Sequence, residues 1–351
     1  MALSLPGDWD PRLAAKYLDA RQQEWFAWPA AKAVTGGTCL SCHTGATYLL
    51  ARPALRRVLG ETGPTSSETV LLDGLRSRAG LLDAKEIKRG FTAEPVASQA
   101  LGVEAVFAAL FLSQADDGAA LDADAQKAFD RLWLLQARQG AGRGAWPWFN
   151  LNADPYEMPP SPFYGATLAA LAAGNASAEY RKQPKVQERI AELNAYFARE
   201  REAQPLHSRL MLLWASTKLP DALPEASRKA TIEEIWERQE ADCGWTIKSL
   251  GPWTEHQAAS ADPADPMNKL YAAGSMQSPF MQDTATAFAA LALSKAWGQG
   301  PRAGEGAAGR RGGRGPARGT RAAGRGCARS SLGLRCSAGF PLAFCSVENP
   351  P

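Results

Sequence analysis

The sequence predicts an all-α protein, and three observations carry that prediction. Between Pro11 and Trp297 the chain runs through stretches rich in Ala, Leu, Gln, Glu and Arg whose apolar residues fall three and four apart, the spacing of one helix face. Alternating apolar and polar residues, the mark of a half-buried strand, are almost absent. A two-helix unit of about fifty residues also recurs along the chain, as expected of an architecture built from helical-hairpin repeats.

Ten helices are predicted from the Gly, Pro, Asn and Asp punctuation between the runs. The first, 11 to 30, gathers Tyr17, Trp25, Phe26 and Trp28. The second, 46 to 58, carries Arg52, Arg56 and Arg57. Helices at 66 to 87 and 98 to 114 come next, the latter holding the longest clear apolar stretch, Ala105 to Leu112. That stretch is far short of the ~18 residues of a bilayer span, so no transmembrane segment is expected. The fifth helix, 122 to 138, holds Leu132-Trp133-Leu134-Leu135-Gln136 and leads through a Gly-rich turn to Ala145-Trp146. The sixth, 162 to 173, succeeds Ser161-Pro162-Phe163 and reaches Ala169-Ala170-Leu171-Ala172. Helices at 184 to 202 and 206 to 217 come after it, His207 near the start of the second and Met211 within its apolar run. The ninth, 225 to 239, ends Ile235-Trp236-Glu237-Arg238-Gln239 before Asp242-Cys243-Gly244-Trp245. The tenth, 282 to 297, succeeds Ser278-Pro279-Phe280 and holds Ala289-Ala290-Leu291-Ala292. The last two repeat the fifth and sixth, and Ala108-Ala109-Leu110 is a partial third copy. The pattern is a packing pattern: Ala-rich faces let helices approach, Trp covers the next helix, and Gly permits the turn.

The net charge of +3 conceals two unlike segments. Gly298 to Pro351 holds nine Arg, no Lys and two acids, a balance of +7, whereas the preceding 297 residues balance at −4. The basic excess is therefore a Gly/Arg-rich tail, expected to be disordered, and the body offers no basic face for nucleic acid. Twelve Lys precede Gly298 and none comes after it, which a GC-rich gene read in a shifted frame would also give. Cys327, Cys336 and Cys345 stand nine apart and match no metal pattern.

At Gln-to-Gly-Trp, a loop, and then Asp283-Thr284-Ala285-Thr286-Ala287-Phe288-Ala289-Ala290-Leu291, the chain resembles the repeat of squalene-hopene cyclases and protein prenyltransferase β subunits. The resemblance covers about residues 98 to 297. It implies an α/α toroid over 61–297, with an apolar central cavity lined by Trp146, Trp148, Phe163, Tyr164 and Trp245 and suited to a terpenoid-like ligand. It does not bring catalysis with it. The Asp-x-Asp-Asp cluster of the cyclases has no counterpart, and Asp154, Glu157 and Asp283 are single acids without a partner at a supporting spacing. Cys243 stands where the repeat usually has a glycine, as turn filler or, less in keeping with the pattern, as a zinc ligand.

The sharpest local signal is Cys39-Leu40-Ser41-Cys42-His43, in the N-terminal segment 1–60. Two thiols three residues apart can add across the two vinyl groups of haem, and the adjacent imidazole is then placed to ligate the iron. The five residues resemble the haem-attachment motif of c-type cytochromes, which implies covalent haem c on Cys39 and Cys42 with His43 as proximal ligand. Met158, Met276, Met281 and His207 are the candidates for the sixth position, and Arg52, Arg56 and Arg57 for the propionates or a solvated helix face. Zinc binding with His207, His256 or Cys243, a redox disulfide, and a structural role remain as alternatives. Haem c assembly takes place outside the cytoplasm, yet Asp8 and Asp10 interrupt any signal-peptide pattern. The expectation is an exported, periplasmic haem protein with a redox partner and a leader upstream of Met1. The alternatives are a terpene-cyclase-like isomerase acting on a polyprenyl chain and a non-catalytic toroid scaffold.

Overall fold

Asp10 starts α1 (Pro11–Ala27): its carboxylate accepts the Arg12 amide at 2.7 Å, and Pro11 occupies a first-turn position that needs no donor. The computed structural model describes residues 10–32, 34–87, 93–116, 120–150, 156–240, 244–252 and 279–297. The tail 298–351 and the segment holding Met276 lie outside the described residues, as do Asp154 and Cys243 and the side chains of His43, Met281 and Asp283.

After a turn of π-helix at Ser41–Gly45, α2 (Ala46–Leu59) ends at Gly60, whose φ of 68° lets the amides of Gly60 and Glu61 fold back onto the Arg57 and Arg56 carbonyls. A reciprocal capping box, Thr65 with Glu68, opens α3 (Ser66–Arg78). The sequence reading continues this helix to 87, but the chain turns at Ala79 and Gly80 and restarts as α4 (Ala84–Ile87). Arg78 explains the break. Its buried guanidinium is tied to the Glu104 carboxylate at 2.6 Å and the Thr35 carbonyl at 3.0 Å, which pins the chain just before a poor helix former.

Next come α5 (Val96–Asp116), α6 (Ala123–Leu135) behind its Asp122 cap, and α7 (Ser161–Asn175). A short α8 (Ala178–Arg181), capped by Ser177 and not expected from the sequence, precedes α9 (Pro184–Glu200). The chain completes α10 (Leu206–Ala215), α11 (Glu225–Glu237) and α12 (Pro279–Trp297). The all-α class holds throughout the described residues.

Packing sorts the later helices into two rows. α5 lies against α7, α7 against α10, and α10 against α12, while α6, α9 and α11 pack onto α5, α7 and α10 from outside. The apolar core is one contiguous cluster that includes Leu40, Tyr48 and Leu49 from the N-terminal segment together with Phe107, Phe163 and Leu213 from the repeats. By length and composition alone α5 is apolar enough over Val96–Gln114 to cross a membrane, but most of that window is buried among its neighbours, as in a core helix.

The internal repeat shares its turn-closing bonds and its tryptophan contact. Trp146 donates its indole N–H to the Leu132 carbonyl at 2.7 Å, and Trp245 donates to the Ile235 carbonyl at 2.7 Å. Each acceptor lies four residues before the repeat's glutamine, Gln136 or Gln239. The residue after each glutamine donates its amide to the carbonyl just before the tryptophan, Ala137 to Ala145 at 2.8 Å and Glu240 to Gly244 at 2.9 Å. Trp133 meets Trp146 at 6.0 Å between ring centroids, and Trp236 meets Trp245 at 5.8 Å.

Candidate functional site

Two segments distant in sequence meet at the site: the turn at residues 39–45 and the loop 156–158 that enters α7. The turn is anchored by its backbone. Trp25 donates its indole N–H to the Cys39 carbonyl at 2.6 Å, the Cys39 amide donates to the Ala31 carbonyl at 2.8 Å, and Leu40 is buried in the core. Ser41 takes a φ of 66°, a left-handed conformation that costs a non-glycine residue, and its Oγ accepts the Thr44 amide at 3.1 Å. The Ala46 amide reaches back five residues to the Ser41 carbonyl, the wide π-type closure. Gly45 is required there, because a Cβ at that position would collide with the Leu40 carbonyl. Neither the π-turn nor the strained Ser41 is visible as periodicity in the sequence.

Cys39 and Cys42 are not joined in a disulfide, and each is partly exposed as a residue. The Cys42 side chain nevertheless packs against the core and is hydrogen-bonded to the buried Glu157 carboxylate. Burial, then the Glu157 charge, then the neighbouring Cys39 hold the Cys42 thiol well above the ordinary thiol range. Cys42 is thus kept protonated in the folded chain.

An aromatic wall stands behind this pair. Tyr164, on the first turn of α7, titrates well above the usual phenol range because it is buried and because Tyr156, Cys42 and Glu157 surround it. Burial pushes Tyr156 up to about 12. The Tyr156 and Tyr164 rings stand 5.1 Å apart, and Trp148 meets Tyr164 edge-on at 5.8 Å while donating its indole N–H to the Tyr156 carbonyl at 2.9 Å. His207 of α10 lies 5.5 Å from Tyr156 and stacks on Phe288 of α12 at 5.0 Å. Burial drives the His207 pKa down to about 3, so the imidazole is neutral at physiological pH.

Of the residues singled out from the sequence, the structure brings together Cys42, Glu157, Trp148, Tyr164 and His207, with Cys39 alongside. Met158 is next in the loop, buried, with its amide on the Ser161 Oγ at 2.8 Å, so it serves the start of α7. His43 continues the π-turn by its backbone. Trp146, Phe163 and Trp245 are buried packing residues, and none of the five aromatics expected at a central cavity lines the cavity of about 630 Å³ that lies between α2, α3 and the ends of α5, α7, α10 and α12. The Trp146 and Trp245 indoles are consumed by the repeat's internal bonds, and the Phe163 ring packs against Tyr196 and Phe197 of α9.

Two of the three arginines proposed for propionates are engaged elsewhere. Arg52 is buried between Asp19 at 3.0 Å and Glu61 at 2.7 Å, and Arg56 pairs with Glu68 at 2.7 Å. Among the described residues no three His, Cys, Asp or Glu side chains gather as a metal-ligating group. Sequence reasoning missed Tyr156, whose only signal is its place beside Glu157. No protein-family model, curated protein or solved structure matches the chain.

Proposed function

We propose that the chain is a c-type haem protein serving electron transfer or haem-dependent binding, its haem held through thioethers from Cys39 and Cys42 with His43 on the iron. The donor set supports this most directly: two reduced cysteines on one turn, close enough for the charge of one to act on the other, with His43 the next residue of that turn. Bound there, haem supplies one-electron chemistry whose potential is set by axial ligands and burial.

This chain's own residues hold and orient the attachment point. The Trp25 indole and the Ala31 carbonyl fix Cys39, the π-turn fixes the spacing, and Glu157 holds the Cys42 proton. Attachment at Cys42 removes that thiol donor, so Glu157 must take another. Among the sixth-ligand candidates, His207 shares the aromatic cluster that borders Cys42 and is already in the neutral form that ligates iron. The reading places the working protein in an exported compartment with a redox partner. The bonds shared by the two repeat copies support the reading of the helix rows as an α/α toroid of the cyclase and prenyltransferase kind. A cyclase activity draws no support from Glu157, which is engaged with the Cys42 thiol.

The test is expression with an export leader in a host carrying cytochrome c maturation. One haem by intact mass and a haemochrome spectrum that survives acid-acetone extraction are expected, both lost in Cys39→Ala/Cys42→Ala. An apoprotein under those conditions overturns the proposal.

A further inference from the structure

The 630 Å³ cavity lies away from the cysteine turn, where the C-terminal halves of the inner helices converge with α2 and α3. Its lining repeats from helix to helix. Leu110 of α5, Leu171 of α7, Trp214 of α10 and Leu291 of α12 each face it, and the residue four positions on faces it as well: Gln114, Asn175, Lys218 and Lys295. Three of the four helices share a further mark between those positions, a hydroxyl bonded back to the carbonyl of the apolar residue: Ser113 to Leu110, Thr217 to Trp214 and Ser294 to Leu291. An apolar ring therefore sits one helical turn beneath a polar ring, and two of the four polar positions are lysines.

The charge at the rim is one-sided. Arg57 joins Lys218 and Lys295, whereas Glu68, the one acid in the lining among the described residues, is already paired with Arg56 at 2.7 Å. Lys295 senses the other two: burial and then the charges of Lys218 and Arg57 hold it below the usual lysine range. Cations at helix C-termini are ordinary partners of the helix dipole. That accounts for the lysines at two helix ends, but not for a space the size of about twenty waters beneath them.

We infer that this cavity binds a single-chain amphiphile with an anionic head, its chain against Leu110, Leu171, Trp214 and Leu291 and its head among Arg57, Lys218 and Lys295. The volume lies within the roughly 300–1,000 Å³ of small-molecule sites. The inference stands apart from the haem reading, because it uses none of the residues at the cysteine turn.

The probes are dodecyl phosphate and dodecanoate, titrated calorimetrically into the full chain below their critical micelle concentrations. Both should bind with one-to-one stoichiometry and micromolar affinity. Lys218→Gln/Lys295→Gln should weaken binding at least tenfold, and Leu291→Trp, which fills the apolar ring, should abolish it. Dodecanol, dodecyltrimethylammonium and inorganic phosphate should each bind at least tenfold more weakly than the anionic amphiphiles. Equal binding of the cationic or neutral probe, unchanged affinity in the lysine variant, or no saturable binding of either anionic amphiphile overturns the inference. Should Leu291→Trp fail to fold by helix content, the lysine variant, altered only at the rim, still decides the matter.

Discussion

His207 is neutral because it is buried among Tyr156, Tyr164 and Phe288, and that neutrality has a cost that depends on pH. Its folded pKa of about 3 lies below the 6.5 of an exposed histidine, so between those values the unfolded chain takes up a proton that the folded chain refuses. The contribution is fully present above pH 6.5 and is lost as pH falls, by up to about 1.4 kcal/mol per pH unit. His207→Gln should therefore flatten the decline of the urea midpoint between about pH 6.5 and 4 relative to the parent. A parallel decline in both proteins would show that His207 exchanges protons freely when folded. The residues of this cluster differ in how legible they are. Cys39, Cys42 and His43 announce themselves by spacing. Glu157 and Tyr164 stand out only as an acid and a ring near a helix start, and nothing local says that they meet Cys42, because that meeting is made by the tertiary packing of the cysteine turn against α7.

Helices are the most legible elements, since the 3.6-residue period and the Gly and Pro punctuation fix their existence. Their ends obey side-chain bonds that periodicity does not carry. Arg78 stops α3 by reaching Glu104 and Thr35, and Ser177 starts α8 with its hydroxyl. The π-turn is a matter of one collision and one left-handed residue, Gly45 and Ser41, neither of which changes the apolar pattern. The repeat, by contrast, is legible in Leu132–Trp146 and Ile235–Trp245, and the two copies share the indole bond and the amide bond that closes the turn. That equivalence makes a prediction. Trp146→Phe and Trp245→Phe each remove an indole N–H from a buried carbonyl, Leu132 or Ile235, and each should cost about 1–3 kcal/mol. Urea unfolding of the two variants should give similar losses. A silent Trp245→Phe beside a costly Trp146→Phe would mean that the second copy is ornamental to stability.

Across the whole molecule a single apolar cluster joins the cysteine turn to the repeats, which is why Leu40, Tyr48 and Leu49 share neighbours with Phe107 and Phe163 rather than forming a separate core. The tail enters differently. Gly298 to Pro351 has nine Arg and no Lys, a Gly/Arg-rich composition of the kind expected not to build a core of its own. Deleting it should leave helix content and the midpoint of thermal unfolding essentially unchanged, as circular dichroism will report, and a large loss of cooperativity would make the tail part of the fold. The repeat's tryptophans spend their indoles closing the repeat turns, while the 630 Å³ cavity is lined by Leu110, Leu171, Trp214 and Leu291 together with Lys218 and Lys295. The π-turn also sets the phase of α2. Each residue turns a helix by about 100°, so the number of residues between Cys39 and Gly45 decides which side of α2 meets the core. Losing one of them would swing Tyr48 and Leu49 out of the cluster and bring a charged flank round in their place. The spacing that suits two thiols to a common partner is at the same time the angular setting of the helix behind them, and neither can drift without the other.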